Sequence, residues 1–438
     1  MTSVSIRILV KFLLNRHKPV GTGGVARSVG LPVQLKRSFA LHICTARISS
    51  VLRKEKQEPA NMNKEFSMSS QVSSALSLRP QPNTATLLTE VRNHIGHLTL
   101  NRPTGLNALD LTMVRAMARQ LDLWSEDDGV YAVVLRGAGD KAFCAGGDIR
   151  ALYQAWHAGQ SEADGEPLHE QFFREEYALD LSIHRYRKPV VALMDGLVLG
   201  GGMGLAQGAE LRVVTERTRL GMPEVAIGYF PDVGGSHFLS RVPGELGTYL
   251  ALSGVQIGDA DALYCGLADW AVDSSLLGRL DHMLDHLKWK SSPLKDLQGA
   301  LAKLGRQHLP SPPLERLRPA IDHFFAQPDI TSIIEQLEQV TVADSRQWAL
   351  ETARRMRGHS PLSLAVTLEM LKRGRHLSLQ ACFAMELHLD RQWFKRGDFL
   401  EGVRAMIIDK DKKPCWKHAG SQDVSPAEVE SFFSGLEA

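Results

Sequence analysis

KPVVALMDGLVLGGGMGLAQGAELRVVTERTRLGMPEVAIGYFPDVGG, Lys188 to Gly235, is the stretch that decides how this chain folds. Val190 to Met194 is an unbroken apolar run and reads as a buried strand. It feeds the turn Gly200-Gly201-Gly202, after which the small residues Gly202 to Ala209 read as a helix. Glycines at a strand-to-helix turn let backbone N–H groups approach a ligand closely, and the helix N-terminus adds positive potential. Leu211 to Val214 reads as another strand, and two carboxylates follow eight positions apart, Glu224 and Asp232. Acyl chemistry needs donors aimed at a developing oxyanion and a base or nucleophile beside the carbonyl carbon. This one segment can supply both.

Working outward, the same grammar recurs. Leu87 to Val91 and Ile95 to Leu100 read as paired strands around Arg92-Asn93-His94. Leu111 to Trp124 places Met113, Val114, Met117 and Leu121 at helical spacing. The strand-like Ala132 to Leu135 leads to a second glycine motif, Lys141-Ala142-Phe143-Cys144-Ala145-Gly146-Gly147-Asp148-Ile149. Strand then helix, repeated, argues an α/β fold. Beyond about Val272 the pattern is helical, with breaks at Ser311-Pro312-Pro313 and Ser360-Pro361.

Three motifs in order, Leu100-Asn101-Arg102-Pro103 with Asn107-Ala108-Leu109, then Lys141 to Ile149, then the Gly200 to Gly235 block, resemble the crotonase (enoyl-CoA hydratase/isomerase) superfamily over about residues 85–275. The resemblance implies a crotonase (ClpP-like) spiral of ββα units with a helical C-terminal region, and an oxyanion hole made by the N–H groups of Gly147 and Gly201. Hydratases of this family carry one catalytic glutamate three residues after the central glycine of the triplet; here that position is Gly204. The second hydratase glutamate matches Glu224, in Met222-Pro223-Glu224. Asp232, in Phe230-Pro231-Asp232-Val233-Gly234-Gly235, stands where hydratases carry a small residue. That pairing resembles the 3-hydroxyisobutyryl-CoA hydrolase branch. So do Phe173-Arg174-Glu175-Glu176-Tyr177, Asp398 to Ala405, Ile408-Asp409-Lys410-Asp411 and Pro414-Cys415-Trp416, which extend the resemblance to about residue 416.

The branch implies hydrolysis of 3-hydroxyisobutyryl-CoA, or a related short 3-hydroxyacyl-CoA, to free acid and coenzyme A, a step of valine breakdown. Glu224 would act as nucleophile or as general base for water. Asp232 would orient and protonate, or hold the substrate hydroxyl. Glu176, 25 positions before Gly201, carries over as a substrate contact. No cofactor is implied beyond the coenzyme A of the substrate, no metal, and a homo-oligomer is possible. Two other readings stand beside this one. An enoyl-CoA hydratase/isomerase is opposed by Gly204. A non-catalytic subunit that only binds CoA esters is opposed by the retained Glu224, Asp232 and both glycines.

Composition bounds the rest. A chain of 438 residues suggests about two domains, and 44% apolar with 23% charged residues is ordinary for a globular protein. The expected division is an N-terminal extension at 1–67, a core at 84–275 and a helical region at 276–438. A net charge of +2 gives no case for nucleic acid, and no apolar run reaches the ~18 residues of a membrane span. The five cysteines, Cys44, Cys144, Cys265, Cys382 and Cys415, are scattered without a Cys-x-x-Cys, as in a reducing compartment. Cys144 reads as a small buried thiol, because no histidine adjoins it to activate it. His282 and His286 have the spacing of a zinc helix but lack its glutamate, and read as an ordinary helix face. No Gly-x-Ser-x-Gly elbow and no Gly-x-x-x-x-Gly-Lys loop occurs.

Residues 1–54 hold no Asp or Glu but several Arg, Lys and Ser, as in a mitochondrial presequence, which would place the protein in the matrix. The reading favoured by the sequence competes with that one: Lys64-Glu65 can be encoded by a purine-rich ribosome-binding sequence just before Met68. Residues 1–67 would then be untranslated leader and the protein a bacterial cytoplasmic one.

Overall fold

The computed structural model describes residues 85–159 and 165–436; the extension read at residues 1–67 lies outside them. Strands β1 (Leu87–Arg92) and β2 (Ile95–Leu100) form an antiparallel hairpin. Asn93 and His94 both take positive φ at its tip, as a two-residue turn between right-twisted strands requires. From there every pairing in the main sheet is parallel. β3 (Ala132–Gly137), β5 (Val190–Met194), β7 (Leu211–Val214) and β9 (Trp270–Ala271) add outward in the order β1-β2-β3-β5-β7-β9.

A second parallel sheet, β4-β6-β8, is built from three-residue strands: β4 (Ala142–Cys144), β6 (Leu197–Leu199) and β8 (Arg219–Gly221). β3, β5 and β7 each lead into a short strand before the next helical element, and this repeat is the ββα spiral. It corrects one detail of the sequence reading. Val190–Met194 does not feed the glycine triplet directly; the chain turns at Asp195-Gly196 and runs through β6 first. Likewise β4 separates β3 from Gly146-Gly147.

The helices that matter for the site are α1 (Leu111–Glu126), α2 (Ile149–His157), α3 (Leu168–His184) and α4 (Gly201–Gln207). Asp110 and Asp148 cap α1 and α2, accepting from Met113 and Ala151 N–H. The main sheet is apolar on both faces, as parallel sheets are. Val190, Ala192 and Met194 pack into the large core with α1, α3 and α4. Val191 and Leu193, alternating with them, pack against Leu280, Leu284, Leu297 and Leu301 of helices Leu277–Asp285 and Pro293–Ala302.

Later helices, from Pro313–Phe325 to Pro426–Phe433, join the large core instead. Pro313 and Pro361 occupy first-turn positions of helices rather than breaking them, where a missing N–H costs nothing. The longest described helix, Leu379–Arg396, packs along α3 and over the Asp232 loop. No helix among the described residues is long and apolar enough to cross a membrane.

Candidate active site

The two glycine loops meet. Gly146 takes φ +97 and Gly200 φ +49, and a Cβ on Gly146 would lie 3.5 Å from the Gly201 nitrogen. Gly147 forms a parallel bridge with Leu109: Leu109 N–H donates to the Gly146 carbonyl and Asp148 N–H to that of Leu109. The N–H of Gly147 itself is thereby directed away from Leu109. Neither it nor the Gly201 N–H, in the first turn of α4, donates to another backbone group among the described residues. Both glycines line one cavity of about 230 Å³ with Phe172, Glu176, Glu224, Tyr229, Asp232, Phe399 and Ile407. A groove of about 590 Å³ between Pro328–Ser332 and Val429–Glu430 contains none of these groups.

Glu224 opens a tight turn, Glu224–Ile227, that ends at the left-handed Gly228. Its carboxyl is turned onto the triplet: a Cβ on Gly200 would lie 2.9 Å from Glu224 Oε1, and Oε2 has no partner. Glu176 approaches from α3, with its unpartnered Oε1 against the α-carbon of Gly201. Asp232 is 5% exposed and accepts a hydrogen bond at Oδ2 from the Tyr177 hydroxyl, 2.7 Å. The structure therefore brings together all five residues read from the sequence: Gly147, Glu176, Gly201, Glu224 and Asp232. Cys144 is buried in the same loop, and burial pushes its thiol up to about 12, so it is inert as a nucleophile at neutral pH. His282 and His286 lie ring beside ring at a tilt of 39°, and no metal-holding group of His, Cys, Asp or Glu occurs among the described residues.

Several residues around the site went unread in the sequence. Asp180, one turn beyond Glu176, is fully buried with neither oxygen partnered. It fills the space beside Gly204: a Cβ there would collide with Asp180 Oδ2 and stand 2.7 Å from Val233 Cβ. Glu386 and Asp390, both 0% exposed, project from helix Leu379–Arg396. Glu386 accepts from Gly234 and Ser236 N–H, and Asp390 from the Tyr229 hydroxyl at 2.7 Å.

Six carboxyls thus share one buried region, and burial raises each of them. Asp232 is raised to about 7 and Glu386 to about 8, in both cases by burial first; the Tyr177 bond opposes this at Asp232 and the Ser236 hydroxyl at Glu386. Glu224 is held well above the usual range by burial and then by Asp232. Glu176 and Asp180 rise through burial and through acidic neighbours, Asp180 acting on Glu176 and Asp232 on Asp180. Among the described residues no cation offsets these three. The site is built to keep protons on some acids at neutral pH while leaving another able to ionise.

A profile of the enoyl-CoA hydratase/isomerase family matches residues 95–433. The chain belongs to this family. Among its crotonase relatives, the 3-hydroxyisobutyryl-CoA hydrolase of Rattus norvegicus is 41% identical over 359 residues, 81% of this chain and 90% of that protein. That of Danio rerio is 41% identical, across 78% and 87% respectively. Both are described as mitochondrial. Of solved structures, a carnitinyl-CoA dehydratase from Mycobacterium thermoresistibile and an enoyl-CoA hydratase from Rhodobacter sphaeroides each superpose with TM-score 0.72 at 36% identity. They cover 80% of this chain, and 97% and 98% of their own. These neighbours establish the crotonase fold expected from the motifs.

Proposed function

We propose that this chain hydrolyses short 3-hydroxyacyl-CoA thioesters, 3-hydroxyisobutyryl-CoA foremost. One observation carries the reading: Glu224, Asp232 and the Gly147 and Gly201 N–H groups share a single cavity, while Asp180 closes the position from which a hydratase would extend its other acid. The names of the 41%-identical relatives support it. The hydratase and dehydratase titles of the solved neighbours do not weigh equally, because Gly204 leaves this site short of the second glutamate.

In the proposed mechanism the thioester oxygen sits between the Gly147 and Gly201 N–H groups, which stabilise the developing oxyanion. Glu224, its proton passed to Asp232 as the substrate binds, attacks the acyl carbon as a carboxylate. The tetrahedral intermediate collapses, its carbon–sulfur bond breaks, and the thiolate takes a proton from Asp232. Water then attacks the mixed anhydride, losing a proton to Asp232, and its acyl–oxygen bond breaks to release the free acid and restore Glu224. One water is consumed and one acid and one thiol appear. At about 230 Å³ the cavity is small beside the roughly 300–1,000 Å³ of sites for drug-sized ligands. A short acyl group fits and the bulk of the coenzyme stays outside. Glu176, against Gly201, contacts the bound thioester. No cofactor enters these steps.

The test is release of free thiol from a panel of short acyl-CoAs in buffer containing a chelator. 3-Hydroxyisobutyryl-CoA should be cleaved fastest. Hydration of crotonyl-CoA without thiol release would overturn the assignment, and dependence on an added metal would overturn the cofactor-free mechanism. We also propose a mitochondrial location, on the description of the relatives and the acid-free residues 1–54. A native N-terminus at Met68, found by mass spectrometry, would refute it. Self-association is proposed on the family resemblance, and light scattering at one subunit mass would refute that.

A further inference from the structure

The loop that carries Asp232 holds an unfavourable backbone. Val233 is β-branched yet takes φ +50, a region such residues rarely enter, and Gly234 follows at φ +86. A conformation of this kind persists only where its surroundings over-determine it. Here the determinant lies about 150 residues further along the chain. Glu386 is fully buried; its Oε2 accepts from Gly234 N–H at 2.7 Å, and its Oε1 accepts from Ser236 N–H at 2.9 Å and from the Ser236 hydroxyl. One carboxyl therefore fixes the Val233–Gly234 and Gly235–Ser236 peptide planes, and the plane between them is held by the Gly235 N–H, which closes back onto the Asp232 carbonyl at 2.6 Å. Phe383, one turn earlier on the same helix, packs against Gly234. The loop is clamped from the C-terminal region, and the side chain it aims is Asp232.

We propose that Glu386 is a positioning residue of the reaction: it acts through Asp232, holding the loop so that the Asp232 carboxyl faces the reacting thioester. The proposal rests on the hydrolase reading above. In Glu386→Gln the amide NH₂ faces one backbone N–H, so one anchor is lost while shape is kept. Small displacements of a catalytic group cost large factors in rate. The expected result is a fall in kcat of tenfold or more with KM within threefold.

A structural role alone would also destabilise the fold, so the discriminating experiment is a double-mutant cycle. Glu386→Gln is measured in the wild-type and Asp232→Asn backgrounds, by single-turnover thiol release at high enzyme concentration. If Glu386 acts through Asp232, its effect shrinks below threefold once Asp232 is gone. An equal loss in both backgrounds, or no loss in the first, overturns the proposal. Gln392→Ala removes a bond from the same helix to the Phe432 carbonyl, away from the site, and should lower Tm with kcat unchanged. If it lowers kcat tenfold, the effect is general to the helix and the proposal fails. Should Glu386→Gln not fold, Ser236→Ala removes one donor to the same carboxyl and must show the same background dependence. Thiol release by the wild type tests the hydrolase reading independently.

Discussion

Gly204→Ala is the most informative small change in this site, since it asks whether the position of the missing hydratase acid is vacant or occupied. Gly204 lies inside α4, where alanine would ordinarily gain about 0.5–1 kcal/mol over glycine. The added methyl, however, collides with Asp180 Oδ2, lies 2.9 Å from Asp180 Cγ and 2.7 Å from Val233 Cβ. Asp180 is fully buried, and Val233 sits at φ +50 in a clamped loop, so neither has an easy way to move. Overpacking of this sort costs about 1–3 kcal/mol, which exceeds the helix gain and leaves a net loss of about 1 kcal/mol. Thermal denaturation followed by circular dichroism should show a Tm lower by about 1–2 °C. In an Asp180→Ala background the obstruction is gone, and the same substitution should become neutral or stabilising. Gly204→Glu alone should gain no crotonyl-CoA hydration, because its carboxyl has nowhere to go. If Gly204→Ala raises Tm in the wild-type background, or Gly204→Glu alone hydrates crotonyl-CoA, the argument that Asp180 excludes a second acid is wrong.

Glu224→Gln should lower kcat for thiol release by about 10²–10⁴-fold, the range for removing one such group, with acyl-CoA binding within a few fold; near-normal turnover refutes its role. Isobutyryl-CoA should show kcat/KM about 10- to 100-fold below 3-hydroxyisobutyryl-CoA, because Asp232 is left short of a hydrogen bond when the hydroxyl is absent. Equal values would show that Asp232 does not read the hydroxyl. The pH dependence of stability follows from the raised carboxyls. The folded state binds their protons more tightly than the unfolded chain, so their stabilising contribution is complete below the unfolded value near ~4 and is lost as pH rises through the folded values, about 7 for Asp232 and about 8 for Glu386. Tm should therefore fall between pH 5.5 and 8.5, and less steeply in Asp232→Asn; an identical slope in that variant would contradict the linkage.

The five site residues were legible because each stands in a motif whose local conformation is set by its own neighbours: glycines at turns, Glu224 behind Pro223, Asp232 ahead of Val233-Gly234-Gly235. The long strands were legible too, since Val190–Met194 and Ala132–Leu135 are short apolar runs rich in β-branched valine, as buried strands are. The short strands β4, β6 and β8 were not. Three residues are too few to show a period, and their pairing is fixed by neighbours far along the chain. Asp180, Glu386 and Asp390 left a fainter trace. In α3 the buried face runs Phe172, Phe173, Glu176, Leu179, Asp180 and Ile183, and in helix Leu379–Arg396 it runs Met385, Glu386, Leu389, Asp390 and Trp393. Acids placed four apart inside an apolar stripe are the signal. It was missed because an acid in a helix is most often on the solvated side.

Those two stripes also explain why the helical C-terminal region is inseparable from the chemistry. A family member that performs hydration needs two glutamates near one loop. Here Gly204 carries no acid, and Asp232, the second acid of the proposed mechanism, lies on a loop with Val233 at positive φ whose N–H groups at Gly234 and Ser236 are received by Glu386. Phe399 and Ile407, further along, complete the cavity wall. In the proposed mechanism the second acid stands on the Asp232 loop and not on the helix after the glycine triplet, and two buried acids sit beside that arrangement. The loop is anchored by a carboxyl from outside the ββα spiral, and the space beside Gly204 is filled. Asp180 does the second and Glu386 the first. Both are buried acids that cost stability as pH rises, which is the trade expected where a fold holds a reactive geometry against its own preference.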